Sequence, residues 1–383
     1  MKKIAFGCTL LNRGLSGAGI DGIGHYCQEM LSEHSKSPKQ LEMLPYSFGY
    51  PAPHSQLNTH IYPSYPAQLI KAFANISSSS DSGPFLTADL IHAPDHLIPI
   101  IKNSNNKHLK KTPLVATIMD VIPISHPQFI KSKIGALKAN LWKLLASRVD
   151  HIITISEFSK NEIAQHMRYP LDKITVTALG VNDSYFQEIS KEQIHSTLAK
   201  YAIPENFFLS IGTIQPRKNL VRLLKAHAAL PRKLALEFPL VIVGRLGWDD
   251  GKILATIREA IADSRCIWVN YINEEEKRCL LQAAVGVPFV SLYEGFGLPM
   301  IEAFASGSPV IGSNSTALAE LGLDAAILVD PLSLNEITNA LNQLIHSHSL
   351  RMQLKKMGQL KANQFTWRKT WNATHQVYEK LIN

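Results

Sequence analysis

The chain has 383 residues, 45% of them hydrophobic and 18% charged, which is enough apolar mass for two cores at roughly 150 residues per domain. That balance excludes a disordered, collagenous or fibrous protein, and the best apolar run, 280–292, falls short of the roughly 18 residues that cross a bilayer. Thirty-nine basic against 31 acidic residues give a net charge of +8, divided as 18 against 13 in residues 1–185 and 21 against 18 in the rest, a spread too even to call for a nucleic-acid partner.

The opening MKKIAFGCTLLNRG resembles a secretory leader, but Arg13 interrupts it and no small-residue cleavage site follows, so it reads as a first buried strand, 4–8. Cys8, Cys27, Cys266 and Cys279 form no CxxC pair, which fits a reducing compartment and argues against a zinc site or a disulfide frame. Further strands are predicted at 90–93, 114–118, 152–155 and 174–178, then at 207–211, 240–243, 267–270, 287–290, 309–312 and 326–329. Helical patterns fall between them at 24–33, 128–148, 157–167, 220–229, 274–284 and 299–305. This alternation predicts an α/β fold with parallel sheets covered on both faces. The polar stretch 186–204 reads as a linker between domains 1–185 and 205–366. The tract 45–66, rich in Pro, Tyr and His, and the serine run 77–80 read as surface loops. Residues 365–381 place Trp367, Trp371 and Tyr378 on a helical pattern that docks against a core. No internal repeat of fixed period is visible.

Three constellations carry chemistry. In YEGFGLPMIE, Glu294 and Glu302 stand eight apart around Gly-Phe-Gly, with a proline placed to open a helix. Glycines let backbone N–H groups approach a ligand, a helix N-terminus favours an anion such as a diphosphate, and the carboxylates suit sugar hydroxyls. The same spacing also fits a strand-turn-helix with two solvated acids. In IGTIQPRKN, adjacent Arg217 and Lys218 at a strand-to-helix junction can neutralise a phosphate pair or form a solvated basic turn. Near the start, Gly17-Ala-Gly19-Ile-Asp-Gly22 is a literal GxGxxG with Glu42 twenty residues on. It fits a dinucleotide fingerprint poorly. The first glycine should follow the strand directly, and Glu42 precedes the second strand rather than ending it.

Taken together and in this order, the motifs resemble the retaining GT-B glycosyltransferases of family 4 over nearly the whole length. The resemblance includes GIGHY (22–26), DLIHAPDH (89–96), IMDVIPISHP (118–127), IITISEFSK (152–160), PRKN, the Glu-x7-Glu block and FTW (365–367). It implies two Rossmann-like domains facing each other across a cleft, with the terminal helix 367–383 packing back on the N-terminal, acceptor-binding domain. The donor is then a nucleotide-diphosphate sugar held mainly by the second domain, with no metal and no other cofactor. Arg217 and Lys218 would bind the diphosphate, Lys218 being the safer assignment because some relatives carry the arginine where Thr213 stands here. Glu294 would contact the transferred sugar, aided by Gly295, Phe296, Gly297 and Leu298, and Glu302 would hold the ribose. Gly212, Tyr271 and Ile272 complete the donor contacts, the last two at the base, and the Gly22–Gly24 loop would close over the diphosphate.

One departure stands out: relatives carry His-Asp where this chain has Met119-Asp120. Activity is then altered, the sugar is held differently, or His92 or His126 compensates, although each of these histidines reads first as a surface or structural residue. Ser156 is expected to cap the next helix first and to meet the acceptor second. Residues 129–148 form a basic amphipathic helix that suits either core packing or an anionic membrane surface. The resemblance is strongest to mannosyltransferases of surface-polysaccharide and lipopolysaccharide assembly. GDP-mannose is therefore the first donor, a glycan or lipid-linked glycan the acceptor, and the cytoplasmic side of the plasma membrane the place. A UDP-sugar-dependent glucosyl- or N-acetylhexosaminyltransferase and a catalytically silent sugar-nucleotide scaffold remain the alternatives.

Overall fold

The computed structural model describes all residues except 37–40, 53–57, 74–82, 102–105, 130–132 and 249–250, so the serine run 77–80 lies outside the described residues. The chain divides into two compact units, Met1–Gly180 with Trp367–Asn383, and Val181–Thr366. In the first unit β1 (Lys2–Gly7), β2 (Leu41–Phe48), β3 (His60–Tyr62), β4 (Leu90–Ala93), β5 (Leu114–Thr117), β6 (His151–Thr154) and β7 (Ile174–Val176) pair in parallel. Their order is β3-β2-β1-β4-β5-β6-β7. The chain therefore reverses direction across the sheet between β1 and β4, as in a Rossmann fold. Every residue of β4, β5 and β6 is buried, which a parallel sheet sandwiched between helices requires.

The tract 45–66 is not a loop throughout, for it supplies the end of β2 and the whole of β3. Pro45 concealed the strand, yet it precedes Tyr46, where pairing to β3 begins, so it occupies a stretch of β2 still unpaired on its outer side. Tyr46 and Tyr62 are core, whereas Tyr50 is exposed. Tyr62 stacks on Phe85 with ring centroids 4.5 Å apart, and Tyr46 meets the same ring edge-on at 4.8 Å. Glu42 opens β2 opposite Lys3 and forms an ion pair with it at 3.7 Å.

The terminal helix Trp367–Ile382 packs on helix Gly22–Ser35, with Trp367 against His25 and Trp371 against His34. Tyr378 reaches beneath the sheet, where its hydroxyl lies 2.6 Å from Nδ1 of His92, whose Nε2 lies 2.7 Å from the Thr117 hydroxyl. Burial pushes the His92 pKa from 6.5 down to about 3, and burial, then Lys380, lowers that of His151 to about 4. Above the unfolded value of 6.5 both rings are neutral in either state. Below it the unfolded chain takes up protons that the folded chain refuses. Stability should therefore fall from about pH 6.5 towards pH 4, by about 1.4 kcal/mol per pH unit for each ring. Urea midpoints compared at neutral and mildly acid pH check this. In His92→Gln the fall should flatten, and an unchanged slope would remove His92 as its source.

In the second unit β8 (Phe208–Ile211), β9 (Leu240–Val243) and β10 (Cys266–Val269) form one parallel sheet, and β11 (Val287–Phe289), β12 (Val310–Ser313) and β13 (Ile327–Val329) another. A parallel bridge from Phe208 to Gly286, with Leu209 N–H donating to the Gly286 carbonyl at 3.0 Å, joins them. The spatial order β10-β9-β8-β11-β12-β13 repeats the reversal of the first unit, a duplicated topology with no repeat in the sequence. The stretch 186–204 is folded rather than a linker. Helix Lys191–Lys200 is capped by Ser190 and lies on helix Glu274–Ala283, with Tyr201 Oη donating to Glu276 at 2.9 Å and Ile189 N–H to Gln282 at 3.0 Å. Among the described residues no helix is long and apolar enough to cross a membrane.

Candidate functional site

Open α/β sheets bind ligands beyond the carboxyl ends of their strands, where the strand order reverses. In the second unit that place lies between β8 and β11. The loop after β8 ends in a 3-10 turn, Pro216–Lys218, and the loop after β11 runs into helix Leu298–Ala305. Leu292 N–H donates to the Arg217 carbonyl at 2.8 Å, and the Arg217 guanidinium donates to the Tyr293 carbonyl at 3.1 Å, so the two loops are tied together. Glu294 accepts from both cations, Arg217 at 2.6 Å and Lys218 at 2.7 Å, with all three side chains at most one-fifth exposed. The Lys218 ammonium also lies 4.6 Å from the centre of the Phe289 ring.

Burial raises the Glu294 pKa, but Lys218 and then Arg217 outweigh it and hold the carboxyl below its usual range. Burial lowers Lys218, and Glu294 only partly restores it. The arrangement is an ionised triad in which one carboxylate occupies the space between two cations. Two forked or point-charge donors at that spacing match the oxygens of a diphosphate.

Gly295 to Leu298 make the turn into the helix. Gly297 has a φ of +126°, and a Cβ there would meet Leu318 at 2.7 Å, so the tight entry requires glycine. Phe296 is buried edge-on against Phe365, which accounts for the phenylalanine of FTW. One turn into the helix, Glu302 pairs with Lys277 at 2.9 Å. Burial pushes the Glu302 carboxyl up against the opposing pull of Lys277. Lys277 also lies over the Tyr185 ring, whose hydroxyl donates to Glu274. Lys277, Tyr185 and Asn219 belong to this neighbourhood, and no sequence spacing announces them. Gly212 ends β8 beside the Lys218 stem, Tyr271 stands exposed after β10, and Ile272 beside it is buried.

The first unit distributes its predicted residues less tightly. Gly22 and Gly24 do not form a free loop: they open helix Gly22–Ser35, where the Asp21 carboxylate accepts from Gly24 N–H at 2.8 Å. Gly17 sits in a π-helical turn, Gly14–Ala18, which continues helix Thr9–Arg13, so no glycine turn follows β1 directly and the dinucleotide geometry is absent. His92 is fully buried with both ring nitrogens partnered, and His126 stacks on Phe129 and bonds Ser125. Met119 and Asp120 instead line a cavity of about 300 Å³ with Asp95, His96 and Trp142. Ser156 caps helix Glu157–Met167, its Oγ accepting from Ser159 N–H at 2.9 Å. Helix Lys133–Ala146 buries Leu145 and Ala146 and packs Leu141 and Trp142 on the core, whereas Lys131 and the side chains of 133–138 lie outside the described residues. Among the described residues no group of three or more His, Cys, Asp or Glu is gathered to hold a metal ion.

Comparison with known proteins bears on the family and the fold. The family model "Glycosyl transferases group 1" matches residues 193–361, and "Glycosyltransferase Family 4" matches 21–185. The chain is 31% identical over 269 residues to the O-antigen chain mannosyltransferase B of Escherichia coli, covering 70% of each. It is 26% identical over 239 residues to the serotype-specific mannosyltransferase WbdA of Escherichia coli, covering 61% of this chain and 29% of WbdA, so it spans less than a third of that relative. Among solved structures it superposes on sucrose-phosphate synthase from Thermosynechococcus elongatus with a TM-score of 0.74 at 18% identity, over 100% of this chain and 99% of the other. WaaG, a glycosyltransferase involved in lipopolysaccharide biosynthesis, superposes with a TM-score of 0.70 at 14% identity, over 98% and 99%. These two likenesses bear on the fold alone. By its two matching family models and its 31% identical relative, the chain belongs to the family 4 glycosyltransferases and has their GT-B fold.

Proposed function

We propose that this glycosyltransferase moves a hexose, mannose first, from GDP-mannose to a glycan or lipid-linked glycan acceptor in surface-polysaccharide synthesis, with retention of configuration and without a metal. The observation that carries the reading is the convergence of Arg217, Lys218 and Glu294 where the strand order reverses. The mannosyltransferase and O-antigen names of its relatives support the sugar and the setting, and as part of the same proposal we set the reaction on the cytoplasmic side of the membrane.

In this mechanism the arriving diphosphate takes Arg217 and Lys218 from Glu294, and the freed carboxylate accepts hydroxyls of the transferred sugar. Leaving-group charge is met by the two cations and by the N-terminal amides of helix Leu298–Ala305, all fixed before the reaction begins. The acceptor attacks from the face that the phosphate leaves, and a departing phosphate oxygen takes its proton. In the donor-free chain burial raises the Glu294 pKa but Lys218 and Arg217 hold it down, and in the complex its freed carboxylate faces the sugar hydroxyls, so the proton is assigned to the phosphate oxygen and not to Glu294. Glu302, pushed upward by burial and paired with Lys277, would hold the ribose hydroxyls.

The test presents GDP-mannose, UDP-glucose and UDP-N-acetylglucosamine with lipid-linked and free glycan acceptors, with and without EDTA. The expected product is an α-mannoside from GDP-mannose at an EDTA-insensitive rate, its anomeric configuration read by NMR. Transfer from a UDP-sugar alone would replace the donor. Inversion would replace the mechanism, and nucleotide binding with no transfer would leave only a scaffold.

A further inference from the structure

Lys277 of the second unit is held by three groups at once. Its helix, Glu274–Ala283, opens with a capping box in which Asn273 and Glu276 exchange hydrogen bonds at 2.8 and 2.9 Å, so the first turn is fixed. Glu274 and Lys277 stand one turn apart on it, with 3.5 Å between carboxylate and ammonium. Tyr185, from the 3-10 turn Asp183–Phe186, is buried, and its hydroxyl gives its one proton to Glu274 at 2.5 Å. The Lys277 ammonium lies 5.2 Å from the centre of that ring. From this seat it donates to Glu302 Oε1 at 2.9 Å, and both side chains of the pair are about 15% exposed.

A buried ion pair is a poor device for stability, because desolvating both charges offsets their attraction and a packed apolar pair often does better. Folding alone therefore gives little reason to set a lysine opposite Glu302. The chemistry of the carboxyl gives one. Lys277 and Glu274 of one helix and Tyr185 of the turn face Glu302. Burial pushes its carboxyl up, Lys277 pulls it down, and Glu274 adds to the upward push. Lys277 stays an ammonium, because Glu302 and Glu274 outweigh the burial that lowers it. A carboxylate only accepts hydrogen bonds, at about four lone-pair positions, whereas a protonated carboxyl gives one of them up to a donor. Lys277 occupies one position and leaves enough for two hydroxyls.

We infer that Lys277 is a positioning residue of the donor site: seated by Glu274 and the Tyr185 ring, it fixes the Glu302 carboxylate as acceptor for both ribose hydroxyls and makes the enzyme reject deoxynucleotides. The inference rests on the donor site proposed above. Lys277 acts through Glu302 and touches no part of the nucleotide itself. A site built to accept two hydroxyls discriminates against a ligand that lacks them, since its buried acceptor is then left unpaired.

Calorimetry on the full chain with GDP and with dideoxy-GDP, which lacks both ribose hydroxyls, tests this. The wild-type chain should bind GDP about tenfold or more tighter, with little change across neutral pH. Lys277→Met keeps the volume of the lysine stem, and Glu302 can take up a proton rather than stay charged and unpaired. This variant should lose about tenfold on GDP at neutral pH and nothing on dideoxy-GDP. Its GDP affinity should recover as the pH rises and Glu302 ionises. Lys277→Arg, which keeps the charge, should retain most of the preference. In transfer assays the donor KM of Lys277→Met should rise more than its kcat falls. The ribose is common to nucleotide-diphosphate donors, so UDP and its dideoxy analogue serve equally if transfer proves to come from a UDP-sugar. Lys218→Ala should weaken both ligands alike. If Lys277→Met weakens both by one factor at every pH, or the wild-type chain binds both alike, positioning by Lys277 is overturned and the diphosphate site stands. If Lys218→Ala changes no affinity, the diphosphate site falls and this inference with it.

Discussion

Glu294→Ala is expected to bind GDP more tightly than the wild-type chain and yet to transfer sugar far more slowly, whereas Lys218→Ala should bind it more weakly. The opposite signs follow from the ion triad. In the donor-free chain the Glu294 carboxylate lies within hydrogen-bond distance of both cations that a diphosphate would use, so ligand and carboxylate compete for the same charge. Removing the carboxylate removes the competitor. It also leaves two buried cations beside each other, at a cost of about 3–5 kcal/mol for a broken buried pair. The unliganded variant should therefore melt early, and added GDP should restore much of the loss by binding only the folded chain. Lys218→Ala is gentler on the fold, because Glu294 keeps Arg217. Transfer should still drop about 10²–10³-fold in both variants, the usual effect of deleting one preorganised electrostatic contact. Thermal melts with and without GDP, alongside a radiochemical transfer assay, read all four quantities. A Glu294→Ala chain that loses GDP affinity as Lys218→Ala does would sink the competition.

The elements most legible in sequence were those whose signal is local. β4 and β9 are short fully buried runs, LIHA and LVIV, and both were located to the residue. Helix Glu157–Met167 was equally plain, because a serine cap precedes its periodic face. β2 and β3 were misread because Pro45 and four tyrosines resemble turn chemistry, and the ring of Phe85, distant in sequence, joins Tyr46 and Tyr62 to a core. The candidate site divides along the same line. Glu294, Arg217 and Lys218 were visible as residue types beside strand ends, but their mutual pairing was not, since it spans 76 positions. Lys277 was invisible for the same reason: it sits in a charged run, NEEEKR, that reads as a solvated helix face. His92 is structural, the role its sequence favours over catalysis, but the partners that bury it, Tyr378 and Thr117, stand 286 and 25 residues away and could not be read from the motif.

Asn219→Ala is expected to lower stability by about 2–4 kcal/mol and to weaken donor binding without touching the donor. Asn219 follows Lys218 directly and has a left-handed backbone, φ +60°, a conformation that asparagine tolerates and alanine resists by about 1 kcal/mol. Its side chain is buried, and its amide donates to the Val290 carbonyl at 3.0 Å and to the Pro331 carbonyl at 2.7 Å. Its oxygen accepts from Arg222 at 2.8 Å. One residue thus ties the turn carrying Lys218 to the end of β11 and to the loop after β13. Alanine would leave the two carbonyls without this donor, at about 1–3 kcal/mol where water replaces it at only one of them. For a unit of this size the melting temperature should fall by about 5–10 °C. Asn219→Gly separates the two contributions, since glycine accepts the left-handed backbone but cannot make the hydrogen bonds. If the clamp is the cause, the glycine variant recovers only the smaller, conformational part, and its donor KM stays raised because Lys218 is no longer held against Glu294. Full recovery by glycine would assign the whole effect to backbone strain and release Asn219 from any part in placing the cation.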